Sequence, residues 1–141
     1  YSTFFGSIVF WVYAVIILLI LKQTNFAMRF AVAAAIVLAI EHFIKSLYPR
    51  KRPDYGHIKP YSSFQKFQEK TSFPSGHSAN MALFTVMIQM YYGILPLTLL
   101  FIFITILEGT SRIYLGRHYL SDVIGGYALG FLAAFMFMNL V

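Results

Sequence analysis

The chain has 141 residues, 59% of them hydrophobic and only 11% charged. A water-soluble domain carries roughly 25% charged residues, so this composition excludes one and points to a membrane protein with a single compact unit. The net charge of +6 would suit nucleic acid. However, most of the basic residues gather between Lys45 and Lys70, where in a membrane protein they meet lipid head groups or an anionic ligand. With no cysteine, a thiolate metal site is excluded.

The first apolar run extends from about Thr3 to Leu21, close to the roughly 20 residues that cross a bilayer. Lys22 to Asn25 form a polar turn. A second run, about Phe26 to Leu47, is Ala-rich and carries Glu41, His42 and Lys45 near its end. Ionisable groups at that depth are costly unless they face protein or water. Glu41 and Lys45, four apart, can pair on one helical face, and His42 is read as a packing or capping residue.

Pro49 closes that run. The polar, basic segment that follows is expected to form an extramembrane loop at about 49–74, with a short interfacial helix near Phe64 to Phe67. His57 is read as a loop residue. Arg50, Lys51, Lys59, Lys66, Lys70 and Arg117 are read as a solvated basic rim. A third run, about Gly76 to Tyr92, opens after Pro74 and Ser75, and Gly93 breaks it. Pro96 suits the first turn of a fourth run reaching about Gly109, and a fifth extends from about Leu120 to Val141. Gly126 and Gly130 form a G-x-x-x-G, read as close helix packing inside one bundle.

The fold expected is therefore an all-α, polytopic transmembrane bundle of about five spanning helices in one domain, residues 1–141. Counting crossings puts the turns at Lys22 and Gly93 on one face. The basic loop, Pro74–His77 and Ser111–Asp122 fall together on the other.

Ser111–Asp122 reads S-R-I-Y-L-G-R-H-Y-L-S-D. His118 and Asp122 are four apart and share a face if the stretch is helical, so the carboxylate can accept the Nδ1–H and leave Nε2 as a nucleophile or base. Arg112 adds a fixed cation, a set that suits an anion such as phosphate. The plain alternative is an interfacial histidine at a helix end. Glu108, one turn before Arg112, is placed to buttress it.

Three patterns line up: Lys45-x6-Arg52-Pro53, Pro74-Ser75-Gly76-His77, and Ser111-Arg112-x5-His118-x3-Asp122. Together they resemble the three-part signature of the type 2 phosphatidic acid phosphatase family, integral-membrane lipid phosphatases. Members commonly have six crossings, so the resemblance implies a further helix before Tyr1. It also implies hydrolysis of a lipid phosphate monoester or pyrophosphate, with His118 as nucleophile, Asp122 orienting it and His77 as general acid. Lys45, Arg52, Ser75, Gly76 and Arg112 would then bind phosphate, and Pro53 would shape the loop. No metal or other cofactor is called for, and the partners are a lipid phosphate and the bilayer.

The positive-inside rule would put the basic motif face in the cytoplasm. The resemblance instead implies a bacterial inner-membrane protein with its site on the outer, periplasmic face. A competing class is a membrane binder or transporter of an anionic lipid, which needs cations but no histidine nucleophile facing an acid.

Overall fold

The computed structural model describes residues 8–53 and 71–140. The expected interfacial helix near Phe64–Phe67, and His57, Lys59, Lys66 and Lys70, lie outside the described residues. Five helices follow one another: α1 Ile8–Ile20, α2 Thr24–Leu47, α3 Gly76–Tyr92, α4 Leu95–Tyr114 and α5 Leu120–Leu140. Among the described residues there is no strand. Three stretches, Thr24–Leu47, Leu95–Tyr114 and Leu120–Asn139, are long and apolar enough to cross a membrane, and Phe10–Ile20 is a shorter apolar helix. Together they form a helical membrane bundle.

Burial follows from which faces are left for lipid. The outer faces of α4 and α5 keep Leu99, Phe103, Leu107, Phe131 and Phe135 more than half exposed, at the spacing of one or two helical turns. In water that surface would be a liability, whereas in hydrocarbon it is the matching solvent. α3 sits at the centre, packed by α2, α4 and α5, and Ala79, Leu83 and Met87 along it are fully buried. On the side of α1 and α2 the core is aromatic. The Trp11, Phe26, Phe30 and Phe84 rings meet at centroid distances of 5.0 to 6.0 Å.

The tightest seam joins α3 to α5. A Cβ on Gly126 would lie 3.1 Å from Ser78 Cβ and 3.2 Å from Ala79 N, and one on Gly130 would lie 2.8 Å from Leu83 N. Bare glycines let the two backbones touch, so the G-x-x-x-G serves packing inside the bundle. Buried hydroxyls tie α3 to α4, where Thr85 and Thr105 Oγ1 are 2.9 Å apart. Tyr127 reaches across from α5 and donates to the Thr105 carbonyl at 2.7 Å.

Two differences from the sequence-based expectation bear on the site. α4 does not stop near Gly109 but continues to Tyr114, so Arg112 is helical and buried. The following stretch is not a helix: residues 115–119 turn, with Gly116 at φ 63° in the left-handed region that glycine tolerates best. The facing of the loops agrees with the crossing count, since Tyr92 donates to Gln23 Oε1 at 3.0 Å beside the turns at Lys22 and Gly93.

Replacing Gly130 with alanine forces a methyl group into fixed backbone rather than a side chain that can yield. It is expected to cost about 1–3 kcal/mol, read as a lower unfolding midpoint in detergent. An unchanged midpoint would contradict the α3–α5 contact.

Candidate active site

The site is assembled where the ends of α2, α3, α4 and α5 meet on one face. Its centre is the short segment before α3. Ser72 N–H donates to the Arg50 carbonyl at 2.8 Å, and its hydroxyl donates to the Lys51 carbonyl at 3.4 Å. Ser75 N–H donates to the Asp122 carbonyl at 2.9 Å. The segments carrying the three motifs are thus joined backbone to backbone.

Ser75 is the N-cap of α3, its hydroxyl accepting from Ser78 N–H at 3.4 Å and lying 2.9 Å from Ser78 Oγ. Gly76 and His77 are the first two helical residues, both half-buried. A helix start offers backbone N–H groups and the positive end of the dipole, an arrangement suited to anions. Gly76 is glycine for a further reason, because the Glu41 carboxylate occupies the space a Cβ would need.

His118 is 4% exposed and sits in the turn before α5. Its Nδ1 lies 2.8 Å from the Ser72 carbonyl. A carbonyl only accepts, so this contact requires the proton on Nδ1 and leaves Nε2 with its lone pair. Asp122 Oδ2 is farther, at 3.7 Å. The expectation of a shared helical face is corrected, while Asp122 still faces the imidazole as a second, longer partner. His118 lies outside the helix, and the nearer acceptor is backbone. Asp122 is completely buried, accepting from Tyr119 N–H at 2.9 Å through Oδ2 and from Arg50 at 2.8 Å through Oδ1. It therefore closes the first turn of α5 as well as facing the imidazole.

The cations are each tied to a partner. Lys45 pairs with Glu41 on α2, as the spacing predicts. Arg112 donates through Nε to Glu108 at 2.6 Å, both side chains 3% exposed, so Glu108 does buttress it. Arg52 donates to the Arg117 carbonyl at 3.2 Å. His42 donates back to the Leu38 carbonyl within α2 at 2.8 Å and stays on the exposed side. The structure thus brings Lys45, Arg52, Ser75, Gly76, His77, Arg112, His118 and Asp122 to one end of the bundle. It adds Arg50, which sequence reasoning put in the solvated rim, and Ser72, whose carbonyl meets His118 and whose hydroxyl supports the Asp122 carboxylate. Among the described residues no group of three or more His, Asp or Glu side chains gathers as a metal site.

A family profile described as PAP2 superfamily matches residues 26–141. The chain belongs to the PAP2 superfamily. Among curated proteins it is 37% identical over 102 residues to phosphatidylglycerophosphatase B of Bacillus subtilis, covering 66% of this chain and 47% of that protein. It is 34% identical over 97 residues to lipid A 1-phosphatase of Rhizobium johnstonii, covering 64% of this chain and 38% of that protein. The corresponding Rhizobium etli protein is 33% identical over 97 residues, with 64% and 40% covered. The chain thus spans less than half the length of these PAP2 relatives. No solved structure gives a significant match.

Electrostatics favour a neutral His118. Burial pushes its imidazole below the ordinary histidine value, Asp122 pulls it upward, and the Arg52 and Lys45 cations add to the lowering. A depressed value keeps the ring unprotonated, and so nucleophilic, to lower pH than a free histidine. The His118 resonance in an NMR titration is expected to have its midpoint below 6.5. Asp122→Asn removes the opposing negative charge and is expected to move it lower still. A midpoint above 6.5 would show that Asp122, not burial, dominates at the ring.

Proposed function

We propose that the chain is the catalytic domain of a membrane lipid phosphatase that works through a phosphohistidine. The observation that carries this reading is the buried His118, its proton held on Nδ1 by Ser72 at 2.8 Å and its Nε2 left as the nucleophilic nitrogen. In a binder that pinned, desolvated imidazole would have no purpose. Nε2 attacks phosphorus and displaces the lipid oxygen. His77 donates a proton to that leaving oxygen, then takes one from the water that hydrolyses the phosphohistidine. The imidazolium formed on attack is stabilised by the Ser72 carbonyl and the Asp122 charge. Lys45, Arg52, Arg112 and the N–H groups at the start of α3 hold the nonbridging oxygens and offset charge in the transition state.

The relatives named for phosphatidylglycerophosphate and lipid A 1-phosphate chemistry support a lipid phosphate monoester as substrate. The site lies at the ends of membrane helices, so the lipid's chains can stay in the bilayer while its head group enters. The bacterial source of these relatives fits a bacterial membrane, and we place the protein in the inner membrane with its site on the periplasmic face.

Purified protein in detergent with EDTA is expected to release phosphate from one of phosphatidylglycerol phosphate, lipid A phosphate, phosphatidic acid or undecaprenyl pyrophosphate. EDTA is tolerated because the positive charge comes from Lys and Arg. His118→Ala is expected to retain less than about a thousandth of the rate with its fold intact. Turnover retained in the variant, or lost to EDTA, would overturn the mechanism. Because the chain has no cysteine, facing can be tested with Lys51→Cys, an exposed position beside the site. A membrane-impermeant maleimide is expected to label it from the periplasmic side of intact inner membrane, and labelling only after lysis would reverse the orientation.

A further inference from the structure

We propose that Arg50 is a positioning residue for His118, fixing both of the oxygens that face the imidazole Nδ1. The proposal rests on the phosphatase reading above, but it is argued from contacts that reading does not use. Arg50 has no place in the three motifs, and a cation just past the end of a membrane helix is ordinarily a solvated or lipid-facing charge. Its side chain is 42% exposed, yet the guanidinium is committed inward. Nη1 donates to Asp122 Oδ1 at 2.8 Å and to Ser121 Oγ at 2.7 Å, and the group stacks over the Tyr119 ring at 4.1 Å from its centroid. These three partners surround the first turn of α5 on the side of His118.

The backbone of the same residue reaches the other oxygen. The Arg50 carbonyl accepts from Ser72 N–H at 2.8 Å, and the Ser72 carbonyl in turn lies 2.8 Å from His118 Nδ1. Arg50 therefore sets Ser72 through its main chain and Asp122 through its side chain. Those are the nearer and the farther oxygen at Nδ1, at 2.8 and 3.7 Å. By pairing with Oδ1, the guanidinium joins the Tyr119 N–H in helping a fully buried carboxylate stay charged beside the ring, while Oδ2 remains turned toward His118. Planar and multiply hydrogen-bonding, the group suits a fixed pose in a way an ammonium does not. The residue acts through Asp122 and Ser72, not on phosphate.

Wild type, Arg50→Met and Arg50→Lys are to be compared in detergent, with the lipid that wild type hydrolyses and inorganic phosphate as competing inhibitor. Arg50→Met leaves the backbone link to Ser72 in place and removes the hold on Asp122. Its kcat is expected to fall about 10- to 100-fold, the usual range for a supporting partner of a reactive group. KM and phosphate inhibition should change little, and Arg50→Lys should recover part of kcat. A solvated rim charge would leave kcat unchanged, and a phosphate ligand would raise KM and weaken inhibition. Either result overturns the proposal.

The imidazole itself gives a reading that needs no turnover. In 15N-histidine NMR, with the signal assigned by its loss in His118→Gln, wild type is expected to show one Nδ1–H tautomer. Arg50→Met is expected to keep that tautomer, because the Ser72 carbonyl still accepts, but with its Nδ1–H signal shifted as Asp122 loosens, and an unaltered signal there overturns the proposal whatever the rates do. If Arg50→Met does not fold, Arg50→Lys carries the same test, with a smaller loss of kcat expected and no change in either quantity overturning it. A folded wild type that hydrolyses no lipid would count against the phosphatase reading alone, and the NMR result would then decide the role of Arg50.

Discussion

A charge carried into an apolar bundle must meet a partner, and that requirement decides how the functional end of this protein is built. Glu41 takes Lys45, Glu108 takes Arg112, and Asp122 takes Arg50. An unpaired carboxylate or guanidinium at such depth would cost several kcal/mol. Two of the three pairs lie within one helix, four residues apart, so they form as the helix forms and need no help from the tertiary fold. The third joins the end of α2 to the start of α5 and depends on the helices being in register.

Register comes from the seam between α3 and α5. Gly126 and Gly130 bring the two backbones into contact, which places the first turn of α5 beside the N-terminus of α3 closely enough for Ser75 to bond the Asp122 carbonyl. The Ser72 carbonyl then falls at hydrogen-bond distance from His118. The imidazole is thus held by backbone, which is positioned by helix packing and has no rotamer to lose. Packing in the membrane and chemistry at its surface are consequences of the same pair of glycines.

Much of this was legible in the sequence because long apolar runs and fixed spacings report directly on helices. The limits expected for α3 matched the structure, and the Glu41–Lys45 and Glu108–Arg112 pairs were readable from a spacing of four. The errors have a common cause. Hydropathy stops at the first polar residues, so α4 looked finished near Gly109 although Thr110, Ser111 and Arg112 continue it with their polar atoms bonded back to α4, to the Ile106 and Glu108 carbonyls and the Glu108 carboxylate. The same spacing rule put His118 opposite Asp122 but wrongly on one helix, because the chain turns there, and it gave no sign of the nearer backbone acceptor. Ser72 could not be found by residue type, since what it contributes to His118 is a carbonyl. Arg50 was indistinguishable from its basic neighbours until the partner seventy residues away was visible.

The pairing of charges has a consequence for what happens after bond cleavage. Four cations, Lys45, Arg50, Arg52 and Arg112, gather at this end of the bundle with three carboxylates, Glu41, Glu108 and Asp122. Three of these four cations are paired with a carboxylate, which weakens the field left to trap a doubly charged anion. For the proposed reaction this matters at the last step, when inorganic phosphate has to leave. A site built from the same cations without their carboxylates would grip its product and stall, whereas one whose cations are paired can let it go.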